Sequence, residues 1–155
     1  MTIEIICITE EDIIQVNSLP KGVCIELCAD LDKDGLTPNL EIIKKCVDLS
    51  IHPIRIMIRN HDNSFYYTKD EVDIMVKQIK EIKEVCNPTG FVFGCLNEEG
   101  NSIDENALGR LTEEAKGFSN TFHKAIEPII DQDFHFILKK YNIDRILTQG
   151  GFNPI

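Results

Sequence analysis

Apolar residues in this chain follow two rhythms that take turns. Short apolar runs at residues 3–8, 23–28, 53–58, 91–96, 119–123 and 144–148 read as strands. Between them lie stretches with apolar positions at helical spacing, over 10–19, from Thr37, from Thr68, over 104–116 and over 133–141. In the second stretch Leu40, Ile43 and Val47 share one face. Thr37 followed by Pro38, with Glu41 nearby, predicts the helix start there. From Thr68 the stripe is Val72, Met75, Ile79 and Ile82, and Cys86-Asn87-Pro88 ends it. Strand then helix, repeated with short connections, predicts an α/β fold with a parallel sheet and helices outside it. The pattern leaves open whether that sheet is doubly wound or closes into a barrel.

Composition narrows the class. At 155 residues and 43% hydrophobic the chain can bury a core as one domain, taken here as residues 1–155. There are 26 acidic and 16 basic residues, a net charge of -10, which disfavours nucleic acid or an anionic membrane as partner and suits a cation. Without an apolar run of about 18 residues or a basic-then-apolar leader, neither a membrane span nor a signal peptide is expected. A cytoplasmic location follows as the expectation, with reduced thiols. The cysteines are Cys7, Cys24, Cys28, Cys46, Cys86 and Cys95, and none forms a C-x-x-C pair. A buried free cysteine most simply packs as a small hydrophobe.

Five segments, in order, carry a resemblance: Ile25-Glu26-Leu27-Cys28-Ala29, Gly35-Leu36-Thr37-Pro38, Met57-Ile58-Arg59, Thr121-Phe122-His123-Lys124-Ala125 and Arg145-Ile146-Leu147-Thr148. Together they resemble the CutC copper-homeostasis family, over residues 3–150. The resemblance implies a parallel (β/α) barrel of TIM type, incomplete here with about six strands. The family would continue through two more strands, so the chain reads as a shortened form or a fragment. Its two outer strands would present open edges, which a partner copy or the terminal segments are expected to cover. There are departures as well. The family's Arg-Pro-Arg-Gly-Gly-Asp-Phe loop is here Arg59-Asn60-His61-Asp62-Asn63-Ser64-Phe65, its His-Arg pair is His123-Lys124, and its Thr-Ser-Gly run is Thr148-Gln149-Gly150. Asp62 and Asn63 in place of two glycines work against close approach of backbone amides to an anion.

Strand alternation then assigns faces. In a barrel, Cys24, Glu26 and Cys28 turn inward, as do Arg55, Met57 and Arg59, Thr121 and His123, and Glu4. Unpaired interior charges are costly, so Glu26 is expected to pair with Arg59 or Arg55. One outcome is a structural ion network, favoured by Glu4 early in its strand. The other is a polar site at the C-terminal mouth, favoured by Arg59 and His123 late in theirs.

The resemblance carries over Cys28 and Cys7 as metal-ligand candidates, with Cu(I) as the ion. Cys24 and Cys28 lie roughly 13 Å apart along an extended strand, too far to share one ion. Cys28 with His123 or Met57, or thiols meeting across a subunit interface, is less strained. Cys7 faces away from Glu4 in a straight strand, so its sharing a site needs a bulge. The leading expectation is a cytosolic copper-homeostasis protein binding Cu(I). The alternative is an enzyme on a small anionic metabolite, with His123 as acid or base, Arg59 as anion clamp and Glu26 beside them. No cofactor fingerprint accompanies it. A third is a degenerate relative that self-associates and keeps neither activity. Expected partners are thus a copper ion or small anionic metabolite and a second copy of the chain, with no nucleic acid and no membrane.

Overall fold

The computed structural model describes residues 2–150. Six strands form one sheet in sequence order, every neighbouring pair parallel: β1 (Ile3–Cys7), β2 (Val23–Leu27), β3 (Ile54–Met57), β4 (Gly90–Phe93), β5 (Ser119–Phe122) and β6 (Arg145–Ile146). The helices between them are α1 (Glu10–Asn17), α2 (Leu40–Leu49), α3 (Lys69–Val85), α4 (Glu105–Glu114) and α5 (His135–Lys140). The sheet curls until its two edges communicate. Arg145 of β6 reaches Glu4 of β1 at 2.8 Å across the concave side. This is the incomplete six-stranded parallel (β/α) barrel that the family resemblance implied, and it settles the choice the alternating pattern left open.

The core lies between the convex face and the helices. Ile25, Leu27, Ile56, Phe91, Phe93 and Phe122 from the strands are fully buried against Ile13, Ile43, Met75, Ile79 and Leu111 from the helices. Each such side chain contributes about 1.5–3 kcal/mol of burial free energy. A second, small apolar cluster of Cys28, Met57 and Val92 sits apart from it.

Helix starts are set by side chains. Thr9 with Asp12 and Thr68 with Glu71 form capping boxes, and the Asp104 carboxylate accepts from the amides of Asn106 and Ala107. The second helix corrects the expectation. It begins at Leu40, capped by Asn39, and not at Thr37. The Thr37 hydroxyl is already engaged, taking the Arg59 amide at 2.8 Å and lying within hydrogen-bond distance of the Arg59 carbonyl and Gln78. It ties this loop to the end of β3. Among the described residues no helix is long and apolar enough to cross a membrane.

Candidate functional site at the strand ends

The concave face divides into two layers. Near the N-terminal ends of the strands, Glu4 accepts from Arg145 at 2.8 Å, lies 3.9 Å from Arg55 and takes the Cys24 thiol at 3.3 Å. Arg55 donates to the Ser119 hydroxyl at 3.2 Å, which in turn lies 3.0 Å from the Asp144 carboxylate. This is the structural ion network, and Glu4 belongs to it.

The second layer lies at the C-terminal ends. Here Glu26, Cys28, Met57, Arg59 and His123 line one cavity of about 100 Å³, with Lys124 and Asp34 beside them, 2.9 Å apart. Of the candidates Glu26, Arg59, His123, Cys28 and Cys7, the first four therefore meet, with Met57 beside them. Cys7 does not join them. It packs in the helix-facing core, on the opposite side of the sheet from Cys28 and Met57, because β1 runs without the bulge needed to turn it.

Glu26 also departs from the expected pairing. Arg55 is drawn to Glu4 and Ser119, and Arg59 to backbone, so Glu26 forms no ion pair among the described residues, and its Oε2 has no hydrogen-bond partner. Burial, reinforced by the nearby Glu4 charge, pushes its carboxyl up to about 7.

Arg59 is 4% exposed, and its Nη1 donates to the carbonyls of Lys33, Asp34 and Gly35 at 2.9, 3.3 and 3.4 Å. Its guanidinium lies 5.0 Å from the Phe65 ring centre. Phe65 in turn packs 5.2 Å from the His123 ring. The loop around Arg59 carries Asp30, Asp32, Asp34, Gly35 and Glu41 at the spacing of a calcium-binding loop. It is folded around this arginine instead. Among the described residues no three His, Cys, Asp or Glu side chains converge to hold a metal.

His123 follows β5, where its Nδ1 accepts the Ala125 amide at 3.1 Å. Burial, with the Arg59 and Lys124 charges, pushes its pKa down to about 3, so the ring is neutral. A neutral imidazole that accepts at Nδ1 carries its proton on Nε2. That buried N–H has no partner among the described residues. The ring fits because position 94 is glycine: a Cβ there would lie 2.6 Å from His123 Nδ1. Sequence reasoning passed over Gly94, although a glycine inside an apolar run is the signal of such a close approach.

Cys28 and Met57 come together above Gly35. A Cβ at that glycine would lie 3.3 Å from the Cys28 sulfur and 3.8 Å from the Met57 methyl group. Gly35 has φ +85°, which other residues adopt only with strain. The Cys28 thiol is pushed up to about 12 by burial and by Glu26, and Cys7 to about 11 by burial and Asp12.

A curled parallel sheet flanked by helices, with polar groups gathered at the C-terminal strand ends, defines a protein of the (β/α)-barrel class. More particularly, the chain belongs to the CutC family, whose sequence model matches residues 1–154. A CutC family protein of Mesorhizobium japonicum is 34% identical over 127 residues, covering 81% of this chain and 48% of the relative. One from Glaesserella parasuis is 34% identical over 160 residues, 97% of this chain and 61% of the relative. The chain thus spans about half to three-fifths of the length of these curated relatives. Among solved structures, a structural-genomics crystal structure of a CutC protein from Streptococcus agalactiae, assigned there to copper homeostasis, superposes with a TM-score of 0.87. Sequence identity is 27%, over 99% of this chain and 75% of that one.

Proposed function

We propose that the chain acts in copper homeostasis and takes Cu(I) as its cargo at the strand-end cavity, through the Cys28 thiol and the Met57 thioether. The observation that carries this reading is the meeting of these two sulfur side chains above Gly35 on the wall of one cavity. Thiolate and thioether are the soft donors that suit Cu(I). Cavity size supports an ion over a metabolite. About 100 Å³ is well below the roughly 300–1,000 Å³ of ordinary small-molecule pockets. His123 is the weaker candidate donor, because its Nε2 bears the proton while Nδ1 is held by Ala125. Cys7 stands outside the donor set, on the other side of the sheet.

The test is an anaerobic Cu(I) titration of the reduced protein against a chromophoric chelator. One tightly held ion per chain is expected, lost in Cys28→Ser, weakened in Met57→Leu and retained in Cys86→Ser. Binding no tighter than in Cys28→Ser overturns the proposal.

A second reading has its own observation. The Nε2–H of His123, without a partner among the described residues, and the carboxyl of Glu26, poised near neutrality, suit acid–base chemistry on an oxygen of a small anion whose remainder lies outside the cavity. Lys124 lies at the same cavity, whereas Arg59 is already held by three carbonyls. A small carboxylate that shifts the His123 ring resonances in the absence of copper, with the shift lost in Glu26→Gln, is the result that favours it.

A further inference from the structure

At the other end of the sheet a separate depression of about 500 Å³ opens beside the starts of β2 and β3. Lys21, Arg55, Arg145 and His52 line it, and no carboxylate is among its lining residues. Such a concentration of positive charge stands out in a chain of net charge -10. The local charge balance leaves cationic capacity unused. Glu4 takes one nitrogen of Arg145 and stands 3.9 Å from Arg55, and Asp144 reaches Arg55 only through Ser119. Lys21 has no ion pair among the described residues, and its neighbour Gly22 has φ +102°. Among the described residues Arg145 is engaged only through Nη1, by Glu4 at 2.8 Å and by the Cys24 sulfur, so its remaining guanidinium nitrogens have no partner there. His52, 8% exposed, has a buried Nε2 that is likewise unpartnered there.

We propose that this depression binds a small phosphate-bearing anion, held by Lys21, Arg55 and Arg145, at a site independent of the sulfur-lined cavity. Guanidinium groups offer paired donors that match phosphate oxygens, and an ammonium adds a third point of attraction. The volume lies within the range of small-molecule sites, unlike that of the cavity at the opposite end. Arg55 is buried and Arg145 half-buried, so solvent screens these two cations less than it screens an exposed lysine, and they gain correspondingly more from an anion.

Inorganic phosphate is the first probe, titrated at constant ionic strength against chloride and followed by backbone amide shifts and by calorimetry. Saturable binding of one phosphate per chain is expected, with shifts concentrated at Gly22, Val23 and His52. Lys21→Glu changes an exposed side chain and is expected to fold. It should weaken binding roughly tenfold or more, the loss of one charge-assisted contact. Arg145→Gln should weaken it as well, and Cys28→Ser should leave it unchanged, which separates this site from the copper proposal. Shifts that follow ionic strength alone, or binding unaltered by Lys21→Glu, overturn the inference. Succinate binding more tightly than phosphate overturns the assignment of ligand class.

Discussion

Glu26 is a carboxyl group held where a charge is poorly solvated, and that has a measurable cost. Its pKa rises from an ordinary 4.5 to about 7 on folding, so the folded state holds a proton that the unfolded chain has released across this window. The stabilising neutral form is fully present below pH 4.5, and stability falls as pH rises towards 7. The cost of ionising it in place reaches about 3 kcal/mol above that point. Glu26→Gln should therefore unfold at higher urea than the parent at pH 8, and the difference should vanish near pH 4. A constant difference across this range would contradict the assignment. His123 acts with the opposite sign. Its depressed pKa means that the unfolded chain binds a proton first, so its contribution is lost as pH falls below 6.5.

Among the elements, the longest helix is the clearest case of local encoding. Thr68 and Glu71 close a capping box at the start of α3, and Val72, Met75, Ile79 and Ile82 bury one stripe against the sheet. Thr68→Ala should lower stability by about 1 kcal/mol, read as a shift in urea midpoint at constant m-value. A change below the error of that measurement would mean that packing alone holds the helix end. The start of α2 teaches the converse. Thr37-Pro38 has the chemistry of a cap, yet its hydroxyl is taken by the backbone at Arg59, and Asn39 caps instead. A competing partner twenty-two residues away decided which of two capable residues did the job.

In the molecule as a whole, the link between the first and last strands is electrostatic. Arg145 and Glu4 meet at 2.8 Å with side chains 32% and 17% exposed, between the surface and buried regimes of ion pairs. Glu4→Gln leaves both Arg145 and Arg55 facing a neutral group and should cost about 1–3 kcal/mol in urea unfolding. Faster amide exchange in β1 and β6 than in β3 and β4 should accompany it. Unchanged stability would show that the helices, and not this pair, hold the sheet curled. Ile3 and Ile6 of β1 are 53% and 52% exposed, and Ile146 of β6 is 38% exposed, at the two strands that end the sheet order. The expectation that the terminal segment covers such an edge concerns residues 151–155, outside the described residues.

Much of this was encoded locally. The alternation of residues 24–28 and 55–59 is a property of single strands, so the inward positions of Glu26, Cys28, Met57 and Arg59 could be read from it, given a barrel. The helix stripes and the caps at Thr68 and Asp104 are equally local. Alternation also turns Cys7 away from Glu4, and the straight β1 keeps it there. Which inward groups actually pair was beyond the sequence, because pairing depends on distances between strands far apart in the chain. Arg55 faces Glu26 in register, yet it turns to Glu4 and Ser119; Arg59 turns to a loop twenty-four to twenty-six residues earlier. Those choices leave Glu26 Oε2 and His123 Nε2 without a partner among the described residues, at the cavity that Cys28 and Met57 also line. Burial then sets their protonation, and burial is a property of the folded chain alone.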